Sequence, residues 1–304
     1  MPNDLGPLTG RIAGAPISWG VCEVPGWGLM LPADRVLAEM RSLGLPATEL
    51  GAPGFLPWEP DALTRALAEY RMALVGGFVP LVLHDPARRE EALRRAEATA
   101  ALFRACGATR FVTAAVQDDD WSPPVPLDAD GMRALADGLA QVDELCARYG
   151  LTQVLHPHVG TVVETARDVE LALEHTSVLW CLDTGHLQIG GVDPVEFARA
   201  HADRVGHVHL KDVDNETAKR VLARELSLVE GVQAGMFRPL GAGDVAVGDA
   251  VVALEASGYE RWYVLEQDTA LMAGAPPDGS GPVDDVRASL DFIRREVVPR
   301  IAHE

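Results

Sequence analysis

Val178-Leu179-Trp180-Cys181-Leu182-Asp183-Thr184-Gly185-His186 is the stretch whose reading decides the fold. Five apolar residues in a row mark a strand buried on both faces, and the chain turns polar at once at Asp183, Thr184 and His186. A carboxylate that ends such a strand is held by rigid backbone. With an imidazole on the loop three residues later, it makes a ligand pair suited to an oxygen-liking divalent metal. Taken alone, an Asp in this place is more commonly a helix cap or turn former. The rest of the chain decides between the two.

Outward from this stretch, strands and helices alternate. On the N-terminal side, strands read over Arg11 to Ser18, Ala47 to Leu50, Ala73 to Leu83, Thr109 to Val116 and Leu151 to Leu155. Helices separate them, one opening at Pro32 and stopping at Gly44. Others cover Asp61 to Tyr70 and Pro86 to Cys106, and one carries Met132, Leu135, Leu139, Val142, Leu145 and Tyr149 on one face. Ala166 to Glu174 is read as helical, as is Pro194 to Ala202, with strands at Val205 to Leu210 and Trp262 to Leu265. Between the last two strands, Asn215 to Gly258 is read as two helical segments around a Gly-rich turn, Leu240-Gly241-Ala242-Gly243. Val283 to Val297 closes the chain as a helix. Eight strands alternating with helices, with no linker or low-complexity tract, predict one α/β domain over residues 1–304, a (β/α)8 TIM barrel. A doubly wound open sheet is the alternative, but eight units exceed its usual count of about six.

The chain of 304 residues suits one such barrel, which takes about 250. Its 48% hydrophobic content can fill the core. Lys and Arg total 26 against 45 Asp and Glu, so the net charge of −19 repels nucleic acid and anionic membrane. Four scattered cysteines, three in apolar segments, are read as reduced thiols, and no apolar run reaches the ~18 residues of a membrane span. A cytoplasmic enzyme is expected, with a homo-oligomer left open.

In a barrel the chemistry belongs at the C-terminal strand ends, and the polar residues fall there. Glu49 ends the second strand, the fifth runs into His156-Pro157-His158, and the sixth ends at Asp183 with His186 beyond. The seventh carries His207 and His209 before Lys211 and Asp212, and the eighth ends at Glu266-Gln267-Asp268. Five of the nine histidines thus gather at three neighbouring strand ends. His156, Asp183, His209 and Glu266 form the candidate metal set. His207 and His209 share a face because the strand period is two, and His209 is chosen because it lies nearer the strand end. Trp19, Trp27, Trp58 and Trp121 fall in strand-end loops, where their rings could wall a sugar pocket or pack against a second subunit. Arg238, beside Gly241-Ala242-Gly243, keeps a phosphorylated substrate as a minority option.

Several motifs carry a family resemblance: Ala15-Pro16-Ile17-Ser18-Trp19-Gly20, Thr48-Glu49-Leu50-Gly51, His156-Pro157-His158-Val159-Gly160-Thr161 and Leu182-Asp183-Thr184-Gly185-His186. They continue in His207-Val208-His209-Leu210-Lys211-Asp212-Val213, Phe237-Arg238-Pro239-Leu240-Gly241-Ala242-Gly243, Gly258-Tyr259 and Glu266-Gln267-Asp268. Over nearly its whole length the chain resembles the xylose isomerase-like barrels, the sugar isomerase and epimerase superfamily that also includes endonuclease IV. It looks closest to the inosose dehydratases. The resemblance implies one divalent ion at the barrel mouth, held by Asp183, His209, Glu266 and the strand-five residue. Many epimerases have Glu at that last position; this chain has His156.

Such a set implies chelation of a carbonyl and its neighbouring hydroxyl, with stabilisation of the enolate left when the α-proton departs. Mn²⁺ or Co²⁺ suits the mixed ligands, and Mg²⁺ and Zn²⁺ stay open. The expected substrate is a small keto-sugar or keto-inositol that loses water. His158 or His186 would transfer the proton with Glu266 beside them, and Lys211 would hold a substrate oxygen. Glu49, Trp19, His207 and Arg238 would bind the substrate. A ketose epimerase or sugar isomerase, an endonuclease IV-like phosphodiesterase and a non-catalytic sugar-binding barrel are the competing classes. The phosphodiesterase would need a multi-zinc cluster and a basic face, which −19 opposes.

Overall fold

Parallel strands buried on both faces need helices packed outside them, and the computed structural model, which describes residues 5–301, has this construction. Eleven strands occur among the described residues. They are β1 (Ile12–Gly14), β2 (Ala47–Thr48), β3 (Ala73–Leu74), β4 (Phe78–Leu81), β5 (Arg110–Ala115), β6 (Thr152–Leu155), β7 (Leu179–Asp183), β8 (Val205–Leu210), β9 (Asp212–Val213), β10 (Phe237–Arg238) and β11 (Tyr263–Leu265). Nine form one parallel sheet in the order β3-β2-β1-β11-β8-β7-β6-β5-β4. Its two ends, β3 and β4, are consecutive pieces of one run, so the sheet curls round and closes on itself. Eight staves result, as the alternation predicts.

The third stave is where the expected strand Ala73 to Leu83 breaks. Backbone bonds bridge the gap: Val75 N–H donates to Thr48 O at 2.9 Å, Leu50 N–H to Gly76 O at 2.9 Å and Val112 N–H to Gly77 O at 3.2 Å. A Cβ on Gly76 would sit 2.1 Å from Arg110 O, so only glycine lets the neighbouring backbone come this close.

The helices α1 (Ala33–Ser42), α2 (Pro60–Glu69), α3 (Arg89–Ala105), α4 (Ala129–Arg148) and α5 (Ala166–His175) pack outside. In α4, Met132, Leu135, Leu139, Val142 and Leu145 are all buried on one stripe, and Asp128 caps the first turn by accepting from Gly131 N–H. Two further features depart from expectation. Thr184–Ile189, read as loop, is a short helix, α6, that starts directly on Asp183; α7 (Pro194–Ala200) follows it. The stretch from Asn215 holds three helices, not two, α8 (Asn215–Leu222), α9 (Leu228–Gln233) and α10 (Val247–Ala256), with β9 and β10 paired antiparallel between them and the barrel. The closing helix α11 (Pro282–Phe292) passes through a π turn at Ile293–Val297. No described helix is long and apolar enough to cross a membrane. All four cysteines are free; Cys146 and Cys181 are buried, whereas Cys22 and Cys106 are half-buried.

Candidate metal centre and its cavity

Asp183 ends β7 and caps α6 with the same carboxylate. Its Oδ1 accepts from His186 N–H at 2.8 Å, which leaves Oδ2 to the buried cluster of side chains at the strand ends. Capping and ligation therefore do not compete: each uses one oxygen. Around Oδ2 stand His156 Nε2 at 3.2 Å, His209 Nδ1 at 3.6 Å and Lys211 Nζ at 3.6 Å. His209 Nδ1 also lies 2.8 Å from Glu266 Oε2, yet it is aligned for a hydrogen bond to neither carboxylate. A buried ring nitrogen beside two carboxylate oxygens without a usable hydrogen bond is a donor set that a cation would satisfy. Donor atoms of Asp183, His209 and Glu266 lie within 4.8 Å of one another, and so do those of His156, Asp183 and His186. The residues fit a divalent ion.

The electrostatics follow from burial against charge. Desolvation penalises the charged form of every group here. For Asp183 the charge of Lys211 and the neighbouring histidines outweigh it and hold the carboxyl well below its usual range. His209 and Lys211 do the same for Glu266. The Cys181 thiol and the carboxylates of Glu266 and Glu49 raise His209 well above an ordinary imidazole. Burial wins elsewhere, pushing His158 down to about 3 and His207 to about 4.

Lys211 is fully buried, and its three protons are spent on Glu266 Oε1 at 2.8 Å, Asp268 Oδ1 at 2.8 Å and His186 Nε2 at 3.1 Å. A Cβ on Gly185 would meet its side chain at 2.7 Å, so the glycine of Asp-Thr-Gly-His makes room for the lysine. This corrects the expectation that Lys211 holds a substrate oxygen: it is an internal cation that fixes one oxygen of Glu266.

Above this cluster opens a cavity of about 970 Å³. Its polar floor comprises Glu49, His158, Glu266 and Asp268, and its walls include Phe78, Trp27, Trp58 and Trp121. The two candidate proton carriers separate here. His158 faces the cavity and donates Nδ1–H to Val159 O at 2.7 Å, so Nε2 carries the lone pair. His186 lies behind it, buried, its ring 3.8 Å from that of His158.

Three expected substrate contacts move. Trp19 is fully buried in a 3₁₀ turn and donates its indole N–H to Glu39 Oε2 at 2.8 Å, away from the cavity. Arg238 is exposed, outside the cavity, and nearest to Asp214 at 3.8 Å. The N–H groups of Gly241 and Gly243 are taken by Asp212 Oδ2 at 2.8 and 3.0 Å, which removes a phosphate cradle there. His207 sits below the floor, with Nε2 2.9 Å from Glu49 Oε1.

Sequence reasoning gave no role to Asp268, which lines the cavity and whose carboxyl is pushed up to about 6 by burial, against the pull of Lys211. The signal was its spacing of two from Glu266, which put both carboxylates on one face. Nor did it find the tie between Arg224 and the buried Glu164, at 3.1 and 2.5 Å. That tie fastens the α8–α9 segment to the loop after His158.

A family model described as xylose isomerase-like TIM barrel matches residues 37–296. An inosose dehydratase of Geobacillus kaustophilus (strain HTA426) is 33% identical over 275 residues, covering 86% of this chain and 89% of the relative. Among solved structures, L-ribulose 3-epimerase superposes with a TM-score of 0.70 at 18% identity, covering 96% of this chain and 97% of that one. The IOLI protein with a binding zinc atom superposes with a TM-score of 0.69 at 14% identity, covering 95% and 98%.

Proposed function

Because the chain belongs to the xylose isomerase-like TIM barrel family, an enzyme fold of sugar isomerases, epimerases and dehydratases, we propose that it dehydrates a keto-inositol or a similar keto-polyol. His156, Asp183, His209 and Glu266 would hold one divalent ion, Mn²⁺ or Co²⁺ by their mixed nitrogen and oxygen donors. When bound, that ion supplies Lewis-acid polarisation of the substrate carbonyl, which acidifies the neighbouring C–H.

The protein's own groups do the rest. His158 offers Nε2 to the α-proton; burial holds it neutral, so it is free to accept. Neutrality reached by so low a pKa makes it a weak base, which is why the proton must first be acidified. Asp268, with a carboxyl near 6, gives a proton to the departing hydroxyl. Trp27, Trp58, Trp121 and Phe78 present apolar faces to the ring and keep water from the reacting carbon. Arg224 and Arg95 are matched by Glu164 and Asp119, so the cavity wall favours a neutral substrate over a phosphorylated one.

One observation carries the choice of dehydration over epimerisation. Of the three floor carboxylates, Glu49 is held on one oxygen by His207 and His209, while Glu266 and Asp268 both follow the end of β11, and the strand-five position holds His156. A 3-epimerase needs two effective bases across one carbon, whereas elimination needs one base and one acid. The test is incubation with a 2-keto-inositol and Mn²⁺ in D₂O. The reading predicts a 1,2-diketone, one water lighter than the substrate, that absorbs in the ultraviolet through its enol. A deuterated epimer that keeps every hydroxyl would replace it with the epimerase reading.

A further inference from the structure

We infer that Glu49 is a positioning residue that fixes which nitrogen His209 presents to the cation, an inference that rests on the metal centre proposed above. Glu49 ends the second stave, and both of its hydrogen bonds fall on one oxygen: His207 Nε2 reaches Oε1 at 2.9 Å and His209 Nε2 at 3.0 Å. Glu49 is 4% exposed and both rings are almost fully buried, so the two bonds lie on the side of the carboxylate away from bulk water.

An ionised carboxylate can only accept, so each Nε2 must carry a proton. With Nε2 of His209 committed, Nδ1 is the nitrogen left to the mouth. It is the one that stands 2.8 Å from Glu266 Oε2 and 3.6 Å from Asp183 Oδ2 without a hydrogen bond. His207 pins the carboxylate from below, and its own Nδ1 has no partner. Two histidines one strand period apart thus share one acceptor, the lower as an anchor and the upper as a ligand. Oε2 remains for a substrate hydroxyl, so the sugar contact expected of Glu49 survives beside this role.

The test uses substrate-free protein loaded with Zn²⁺ and labelled with ¹⁵N at histidine, read by two-bond proton–nitrogen correlation spectra. His209 is expected to carry its proton on Nε2 and to show the metal-induced shift at Nδ1. In Glu49→Ala the proton is expected to leave Nε2, and Mn²⁺ affinity by calorimetry to fall about ten- to a hundredfold. Glu49→Gln keeps an acceptor oxygen without the charge. It is expected to restore the Nε2–H form and lose about tenfold in affinity, and it carries the test if the alanine variant does not fold. Metal bound through Nε2 in the wild type, or Glu49→Gln with wild-type affinity, overturns the inference. Zinc that shifts neither nitrogen of His209 overturns the metal centre itself, and the inference with it.

Discussion

Asp183 ends the stave β7 and Asp212 opens β9 just past the end of the neighbouring stave β8; both are fully buried aspartates, and they do opposite work. Asp212 spends both oxygens on backbone: Oδ1 accepts from Val213 and Val245 N–H at 2.9 and 3.0 Å, Oδ2 from Gly241 and Gly243. Nothing is left over, and the carboxylate is a knot that ties the Gly-rich turn to the barrel. Asp183 gives one oxygen to a helix cap and keeps the other for the cluster of imidazoles and Lys211. Burial and residue type are the same in both. An acceptor left to side chains and not to backbone separates a site from a strut.

The largest effect that sharpens this contrast belongs to Lys211. Without bound cation, Lys211→Met leaves Glu266, Asp268 and Asp183 facing one another with no ammonium between them. It should destabilise the protein by about 3–5 kcal/mol in denaturant titrations. Mn²⁺ should recover more stability in this variant than in the wild type. Equal stabilisation by the metal in both proteins would mean that the ion does not sit among these carboxylates.

Next comes the strut. Asp212→Asn turns an amide N–H₂ towards backbone donors and strands at least one of them. That costs about 1–3 kcal/mol per stranded group and lowers the melting temperature. Mn²⁺ affinity of the folded protein should stay within twofold of wild type. A stable variant that loses the metal would erase the distinction between the two aspartates.

The pH dependence of the metal-free protein is the smaller effect. Burial holds His158 at about 3 and His207 at about 4 against an ordinary 6.5, so the unfolded chain takes their protons first. Their contribution is complete above pH 6.5 and is lost as pH falls through 6.5 towards these values. Glu49, drawn down to about 2 by the histidines against its burial, extends the loss below 4.5. His209 has the opposite sign: raised by its acidic neighbours, it stabilises fully below 6.5 and loses this as pH rises through its folded value. The melting temperature should therefore peak near neutrality, and His158→Asn should flatten the acid limb. A curve rising steadily to pH 9 would contradict the assignment of His209.

Much of the fold was legible because the apolar runs stop abruptly where polar strand ends begin. The break at Gly76 was not, since it depends on how closely Arg110 passes, a contact 34 residues away in sequence. Helix α6 was hidden because its cap is the aspartate that also ends the strand. In the site, His156, Asp183, His209 and Glu266 stood out as strand-end residues, and the structure sets His156 and His209 beside Asp183 and His209 beside Glu266. What sequence could not give was direction. Trp19 turns inward to Glu39, and Arg238 stays outside on the short β10 strand. Lys211 folds back onto the acids of β11, where a side chain of its length has many other rotamers. Each outcome is set by a partner distant in the chain.

The central claim, that Asp183 holds a cation with the oxygen its helix does not use, has a direct test in Asp183→Asn. Asparagine caps a helix about as well as aspartate, so the fold should persist. Isothermal titration with Mn²⁺ should then find binding lost or weakened at least about a hundredfold, in a protein melting within a few degrees of wild type. Wild-type affinity in that variant would contradict the account.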